Sequence, residues 1–430
     1  MRELYIDNYR GFSKQRVPIG DINFLVGENS SGKTSFLYLL SILGSYNLWY
    51  KRQFDSDLVE FNGFSEVVSL DSPDNSCFHI GVMEWSPSNL REQNDVFLMK
   101  FANESGRAIL KKFCFLSHSH EFRVLFTKTN VKFFYSPVGE IYDDEGVRNL
   151  FEKWLDEPLA NEKKYKPLRD PFPASPAFMK SLLPDYVQEE RKLRQRYRTT
   201  EFPSFVSDLV WIAPIRTKPR RIYEGFREAF SPEGEHTPFR VKNLLSSKRQ
   251  SQVFRDYIRW FGEESHLFDS VYTKDYGSRK SALFEFGVVL DGKELTINDV
   301  GYGVSQSLPI VIDLFTAPVN AWFAIQQPEV HLHPKAQAAL GMLIFASMVE
   351  ANKRFFIETH SDYLIDRFRM VMAQTDSETI QTAQSLFFQR LNGKNVITPI
   401  EIDKNGEYSA EQPTSFREFF IKEQMSLLGM

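Results

Sequence analysis

The stretch that most constrains this chain is Gly27-Glu28-Asn29-Ser30-Ser31-Gly32-Lys33-Thr34, which reads G-x-x-x-x-G-K-[ST]. Before it stands Ile22-Asn23-Phe24-Leu25-Val26, a short apolar run suited to a buried strand. After it comes Ser35-Phe36-Leu37-Tyr38-Leu39-Leu40-Ser41-Ile42-Leu43, a helical stretch. Strand, glycine-rich loop and helix in that order turn the pattern into a phosphate-binding loop. The glycines let backbone N–H groups wrap phosphates, and the helix N-terminus adds its dipole. Lys33 is expected to reach the β- and γ-phosphates, and the Thr34 hydroxyl to take one position on Mg2+. Gly27, Asn29, Ser30, Ser31, Gly32 and Ser35 complete the expected cradle for a nucleoside triphosphate, ATP by preference.

At 430 residues, 42% hydrophobic and 25% charged, the chain can build two or more cores, so a main domain with a large insertion is expected. Cys77 and Cys114 are too few for a disulfide framework and lack metal-ligand spacing, which fits a reducing cytoplasm. No apolar run approaches the roughly 18 to 20 residues that span a bilayer, and no membrane role is expected. The N-terminus, Met1-Arg2-Glu3-Leu4-Tyr5, has no signal-peptide core. A net charge of −4 gives no global case for nucleic-acid binding, and a local basic groove for DNA is left open. The 39 Phe point to large buried faces or a subunit interface.

Residues 3 to 26 read as two strands around a turn at Pro18-Ile19-Gly20. Alternating segments from 76 to 137 predict an antiparallel meander. The stretch 138 to 284 reads as a helical, irregular insertion, with a charged helix from Asp185 to Arg198. Within it a second helix, Gln250 to Phe261, buries Val253, Tyr257 and Trp260 or Phe261. Hairpins are predicted at Asp291-Gly292 and Asn392-Gly393. Strand- and helix-length runs alternate from Val300 to Arg369, and a closing helix is capped by Ser415 with Glu418 three residues on. The expected division is a split nucleotide-binding core (1–75 and 285–385), an antiparallel β subdomain (76–137), the insertion (138–284) and a C-terminal hairpin and helix (386–430).

A phosphate loop needs an acid at the tip of a neighbouring strand to hold Mg2+ through water, and a group to orient the attacking water. The candidate strand is Ala321-Trp322-Phe323-Ala324-Ile325, followed by Gln326-Gln327-Pro328-Glu329-Val330-His331-Leu332-His333-Pro334. A further strand, Arg354-Phe355-Phe356-Ile357, ends in Glu358-Thr359-His360-Ser361, where a histidine can report a γ-phosphate.

These residues together resemble the ABC-type ATPases of the SMC, RecF and OLD-nuclease lineage. Tyr5 to Phe12 resembles their opening strand and Gly27 to Ser35 their Walker A. Gly301-Tyr302-Gly303-Val304-Ser305-Gln306 is similar to a degenerate ABC signature. Gln326 to Pro334 resembles the Walker B and D-loop segment, and His360 the switch histidine. Ile212 to Arg216 running into Pro219-Arg220-Arg221 looks like the bacterial defence branch. The resemblance implies an α/β fold: an ABC-type P-loop NTPase head, with a mixed sheet core, an antiparallel β subdomain and a large helical insertion. It also implies ATP held between two facing heads, with Ser305 a trans contact to the γ-phosphate.

The family has an acid at the end of the Walker B strand, often followed by a second, whereas Gln326 and Gln327 are amides. An amide oxygen can enter a Mg2+ shell, which assigns Gln326 beside Thr34 to the metal, but it supplies no carboxylate charge and no base. Either Glu329 swings in to orient water, with Gln327 and His360 beside it, or ATP acts mainly as a clamp. Slow hydrolysis is the expectation.

Arg10 is a candidate nucleotide contact. Arg216, Lys218, Arg220 and Arg221 form a solvated basic loop or a phosphate contact. Glu329-x-His331-x-His333 reads as a turn rather than a metal set, and His118-x-His120-Glu121 as a solvated turn. About 60 residues follow Arg369, short of a further domain of roughly 100, so any effector is expected on another chain. The layout resembles the ATPase subunits of two-gene anti-phage systems such as PARIS or Septu. That implies a homo-oligomer built on ATP-dependent head dimers and a separately encoded nuclease. A RecF-type repair ATPase binding DNA and a non-hydrolysing scaffold stand as alternatives.

Overall fold

The computed structural model describes residues 2–70, 76–85, 95–117, 120–127, 130–138, 143–156, 164–168, 173–190, 205–206, 209–225, 229–276, 283–375 and 382–416. Two compact units form, the first of Met1–Ile19, Glu28–Asp208 and Phe388–Pro399, the second of Gly20–Gly27, Leu209–Phe387 and Ile400–Met430.

Three strands, not two, occupy the N-terminal stretch: β1 (Arg2–Asp7), β2 (Gln15–Pro18) and β3 (Ile22–Gly27), the last belonging to the second unit. The first unit is built on an antiparallel sheet ordered β2-β1-β4-β5-β6-β7-β8-β9. Its further strands are β4 (Cys77–Glu84), β5 (Asp95–Glu104), β6 (Arg107–Ser117), β7 (His120–Phe126), β8 (Val131–Pro137) and β9 (Lys166–Pro167). Alternation along these strands sorts the side chains to two faces. Phe78, Phe97, Phe101 and Phe113 share one face, with Phe78 stacked on Phe101 at 4.9 Å and Trp49 edge-on to Phe97 at 5.2 Å. Met83, Leu98 and Cys114 line the other. Onto that face packs α2 (Asp144–Asp156), whose Val147, Leu150, Phe151 and Trp154 form one helical stripe. Asp144 and Glu145 in its first turn and Lys153 in its last complement the helix dipole. The unit also holds α1 (Lys33–Leu43) and α3 (Pro176–Glu190). Cys77 and Cys114 are free, buried thiols.

In the second unit a small antiparallel sheet joins β11 (Tyr223–Glu224), β12 (Ser270–Tyr276), β13 (Leu283–Leu290) and β14 (Lys293–Thr296), accompanied by α4 (Thr237–Ser246) and α5 (Ser251–Ser265). The larger sheet runs β10-β15-β16-β3-β17-β18, adding β10 (Val210–Ile212), β15 (Trp322–Gln326), β16 (Arg354–Glu358), β17 (Ala383–Leu391) and β18 (Lys394–Ile402), of which Phe388–Pro399 is assigned to the first unit. Strands β10, β15, β16 and β3 are parallel. Every residue of β3 and β15 is buried, which fits their largely apolar sequences, interrupted by Asn23 in β3 and ended by Gln326 in β15. Helices α6 (Tyr302–Thr316), α7 (Pro334–Ala351) and α8 (Asp362–Gln374) complete the unit, and α7 carries the chain from β15 to its neighbour β16 as a βαβ crossover. The Ser361 side chain caps α8 by accepting from Leu364 N. At both predicted hairpins, Asp291-Gly292 and Asn392-Gly393, all four residues have positive φ, as a two-residue primed turn requires. Among the described residues no helix is long and apolar enough to cross a membrane.

Several expectations change. The buried face of α5 is Phe254, Ile258 and Phe261, while Val253 is 62% exposed. The buried stripe lies one position on from Val253, with Tyr257 and Trp260 half-buried at its edge and the Tyr257 hydroxyl donating to Val311 O. Strands β10 to β12 lie inside the stretch read as helical and irregular. The charged helix overlaps the end of α3, and residues 191–198 lie outside the described residues, as does Glu418.

His118 also lies outside the described residues, but Glu121 corrects the solvated turn: it sits in β7, fully buried. Its carboxylate accepts from Arg123 Nη2 (2.8 Å), Trp154 Nε1 (2.8 Å), Ser136 Oγ (2.6 Å) and Lys153 Nζ (3.0 Å). Burial alone would raise this acid, but hydrogen bonds from Ser136, Arg123, Trp154 and Lys153 outweigh it and hold the pKa down to about 2. A lowered native pKa means stability that is complete above the unfolded value and lost as pH falls through the native one. Glu121→Gln should therefore cost about 3 kcal/mol at neutral pH. In chemical denaturation the deficit should shrink as pH falls from about 4.5 to about 2. A deficit independent of pH would remove the charge from this account.

Candidate functional site

In the first unit the phosphate loop closes on itself. Ser31 Oγ and Lys33 Nζ each donate to Glu28 O at 2.7 Å, and Phe36 N donates to Gly32 O at 2.9 Å to open α1. Glu28, Asn29 and Ser30 are exposed, whereas Ser31 and Lys33 are buried and Thr34 and Ser35 half-buried. Gly32 has φ +99°, and a Cβ there would meet Phe12 Cζ at 2.6 Å and Asn395 Nδ2 at 2.8 Å. Only glycine fits that conformation and that space. The N–H groups of a helix's first turn have no partner within the helix, which suits the start of α1 to an anion. Asn395 also ties in the loop of Arg10, donating from Nδ2 to Arg10 O (2.9 Å) and from its backbone N to Gly11 O (2.9 Å). The Arg10 guanidinium lies 5.3 Å from the centre of the Phe61 ring and 6.0 Å from that of Tyr38. Asn395 and Phe12 were not foreseen as supports of the loop, since neither lies beside it in sequence.

In the second unit the carboxyl ends of β15, β16 and β3 are aligned, with Gln326 opposite Glu358 and Glu358 opposite Leu25. Gln326 is buried, and its Nε2 donates to Glu358 Oε2 at 3.0 Å. Gln327 turns the chain away with φ +44° and donates from its backbone N to Glu358 O at 2.7 Å. Glu329 accepts from Thr359 Oγ1 (2.8 Å) and from the backbone N of His360 (2.8 Å), which leaves the His360 ring exposed. Arg216, at 3% exposure, donates from Nη2 to Gln326 O at 3.1 Å, while its Nε and Nη1 have no hydrogen-bond partner among the described residues. Burial pushes its pKa down to about 10, partly offset by Glu329, so it stays charged at neutral pH. Arg216 is therefore not part of a solvated loop: it braces the end of β15.

The donor set at these strand ends suits Mg2+, which prefers oxygen ligands with carboxylate character. Glu358 is buried with an amide as its hydrogen-bond partner and no ion pair among the described residues, and an anion so placed gains from a cation. Sequence reading passed over Glu358 because its pairing with Gln326 exists only across two strands.

The segment Gly301 to Gln306, expected from resemblance to be a signature, starts α6. Ser305 is 9% exposed, and its Oγ donates back to Tyr302 O at 3.0 Å. A Cβ on Gly303 would lie 2.9 Å from His331 O, so glycine lets the start of α6 sit against the turn that follows Glu329. Ser305 also lines a cavity of about 440 Å3 with Lys218, Arg220 and Thr237. His331 is exposed and His333 caps α7, accepting at Nδ1 from Lys335 N (3.4 Å). Among the described residues no group of three or more His, Cys, Asp or Glu is placed to hold a metal ion.

The family AAA_21, described as "AAA domain, putative AbiEii toxin, Type IV TA system", matches residues 70–366. The chain belongs to this family. The AAA_21 match begins after the phosphate loop and runs through the signature, Gln326, Glu329 and His360. No curated protein matches the chain. Similar solved structures are SMC heads. The SMC head bound to the C-winged helix domain of ScpA is 12% identical with TM-score 0.42, covering 94% of this chain and 98% of that one. The SMC head domain from Thermotoga maritima is 10% identical with TM-score 0.41, covering 93% and 98%. The SMC head with an extended coiled coil from Pyrococcus furiosus, bound to the C-terminal domain of ScpA, is 11% identical with TM-score 0.37, covering 99% and 100%. Strand–loop–helix at Gly27 and the parallel strands on one side of β3 give the α/β arrangement of a P-loop domain.

Gly32→Ala should distort the loop and weaken ATP binding by about tenfold or more, since 1.4 kcal/mol of distortion is a factor of ten. Titration with a fluorescent ATP analogue checks this, and near-native affinity would show that the loop tolerates the Cβ by moving Phe12.

Proposed function

We propose that this chain is the ATP-binding, slowly hydrolysing sensor and regulatory scaffold of a bacterial anti-phage defence system whose effector nuclease is a separate protein. The phosphate loop, with Lys33 folded over Glu28 O and Gly32 held in a left-handed conformation, carries the nucleotide half of the reading. The defence half is supported by the resemblance of Ile212 to Arg221 and by the family's description, which names a putative toxin of a type IV toxin–antitoxin system.

In this reading Lys33 and the N–H groups of Asn29 to Ser35 grip the phosphates, and Arg10 contacts the nucleotide. Thr34 and Gln326 supply oxygens to Mg2+, which when bound neutralises charge on the β- and γ-phosphates. Glu329, with Gln327 beside it, orients the attacking water, and its bracket on Thr359 and His360 sets where the switch histidine stands. Ser305 gives up its bond to Tyr302 O and serves the γ-phosphate of a facing head. ATP then closes head dimers into a larger homo-oligomer, and a trigger releases the effector.

A non-hydrolysing scaffold is the second reading, and one observation favours it. Glu329 has a hydrogen bond at each carboxylate oxygen, so orienting water requires it to share or release them.

Lys33→Ala should abolish ATP binding. Glu329→Gln should abolish turnover and leave ATP binding within about twofold of native. Unchanged turnover would take Glu329 out of the chemistry. Native mass spectrometry of the chain co-expressed with its neighbouring gene should give a nuclease-containing assembly whose mass changes with ATP. Finding neither a partner nor any ATP-dependent change of oligomer would end the defence reading.

A further inference from the structure

Resting on the nucleotide-binding reading above, we infer that the acid missing from the end of β15 has been relocated to β16: Glu358 is the carboxylate that holds the nucleotide's divalent cation, with Gln326 as its clamp. The two residues are register partners on adjacent parallel strands. Parallel neighbours lie about 4.8 Å apart, less than the reach of a glutamate side chain, so moving an acid one strand over keeps its oxygens in the same neighbourhood. Only the NH2 of Gln326 can face a carboxylate, which fixes the amide orientation and leaves its Oε1 available as a second, neutral donor.

The backbone of Glu358 is pinned on both sides. Gln327 N donates to Glu358 O at 2.7 Å, and Thr359 N donates to Leu25 O at 3.3 Å. Its side chain thus stands between the strand that ends in Gln326 and the strand that runs into Gly27, the first residue of the phosphate loop. The carboxyl ends of parallel strands are where α/β sheets place ligands.

Two features argue against a purely structural role. Glu358 is 6% exposed, and neither Arg216 nor any other described cation pairs with it. Arg216 instead bonds the backbone of Gln326 and interacts electrostatically with Glu329. An uncompensated buried carboxylate is costly unless something positive completes it. Glu329 is the competing acid, but its two oxygens bind Thr359 and His360.

The test measures how much Mn2+ strengthens binding of a fluorescent, non-hydrolysable ATP analogue relative to binding in EDTA. The variants are Glu358→Gln and the exchange Gln326→Glu with Glu358→Gln, which reverses the hydrogen bond and returns the acid to β15. In Glu358→Gln the enhancement by Mn2+ should fall about 10- to 100-fold, while affinity in EDTA stays within about twofold. The exchange should restore most of the enhancement, and because it keeps an amide–carboxylate pair it also controls for folding. Native enhancement in Glu358→Gln, or none regained by the exchange, overturns the relocation. Loss of analogue binding by the native chain in EDTA and Mn2+ alike would instead bring down the nucleotide-binding reading beneath it.

Discussion

The parallel register of β15, β16 and β3 is the constraint on which the second unit depends. It sets Gln326, Glu358 and Leu25 side by side at one edge. Because β3 and β15 are buried throughout, a slip of one residue would drive the opposite set of side chains into each facing layer. The apolar runs therefore lock the level at which each strand ends, and chemistry begins where they stop. Past that edge the strands leave differently: Gly27 takes φ +128°, Gln327 takes φ +44°, and Thr359 and His360 are held by Glu329. Departures of this kind are strained for most residues and persist only where surrounding contacts enforce them.

Buried charge is handled in two distinct ways. Glu121 in the first unit is saturated, with four donors around one carboxylate and a pKa held low as a result. Nothing there is left to bind a further group, and the hub serves to fix α2 on its sheet. At the strand ends of the second unit, among the described residues, Glu358 has a single side-chain partner and Arg216 has two unpaired donors. Satisfied networks rigidify a fold, while incomplete ones mark positions where something else is expected to arrive. The contrast within one molecule argues that the second arrangement is not a general looseness of packing.

Much of the fold was legible because its signals are local. The phosphate loop lies within eight residues, the two primed hairpins rest on Asp-Gly and Asn-Gly, and the β4 to β8 meander shows in its alternation. What escaped was set across strands. Glu121 directly follows His120 at the end of a polar run that reads as a turn, yet its fate is decided by Trp154 and Lys153 on a distant helix. Glu358 was read as part of a strand end because nothing in its own neighbours reveals Gln326 opposite. Asn395 and Phe12 meet Gly32 only through tertiary packing. The shifted face of α5 is a smaller matter of phase: two adjacent apolar stripes were available, and the one without polar atoms on its side chains is fully buried while Tyr257 and Trp260 sit at its edge.

The turn after Gln327 does more than end a strand, since it touches both sides of the proposed catalytic cycle. Glu329 on that turn holds the backbone of His360, the residue assigned to reading the γ-phosphate. Two residues on, His331 presents its carbonyl to Gly303 so closely that a side chain there would clash, and Gly303 lies in the first turn of the helix carrying Ser305. A displacement of His360 toward a γ-phosphate must stretch or carry the Glu329 bracket, and motion of that turn presses on a contact with no slack. Packed interiors respond to such shifts by switching between arrangements rather than deforming smoothly. The helix carrying Ser305 is thus built against the same turn that holds His360, which in the proposed cycle couples the facing-head contact to the nucleotide's last phosphate.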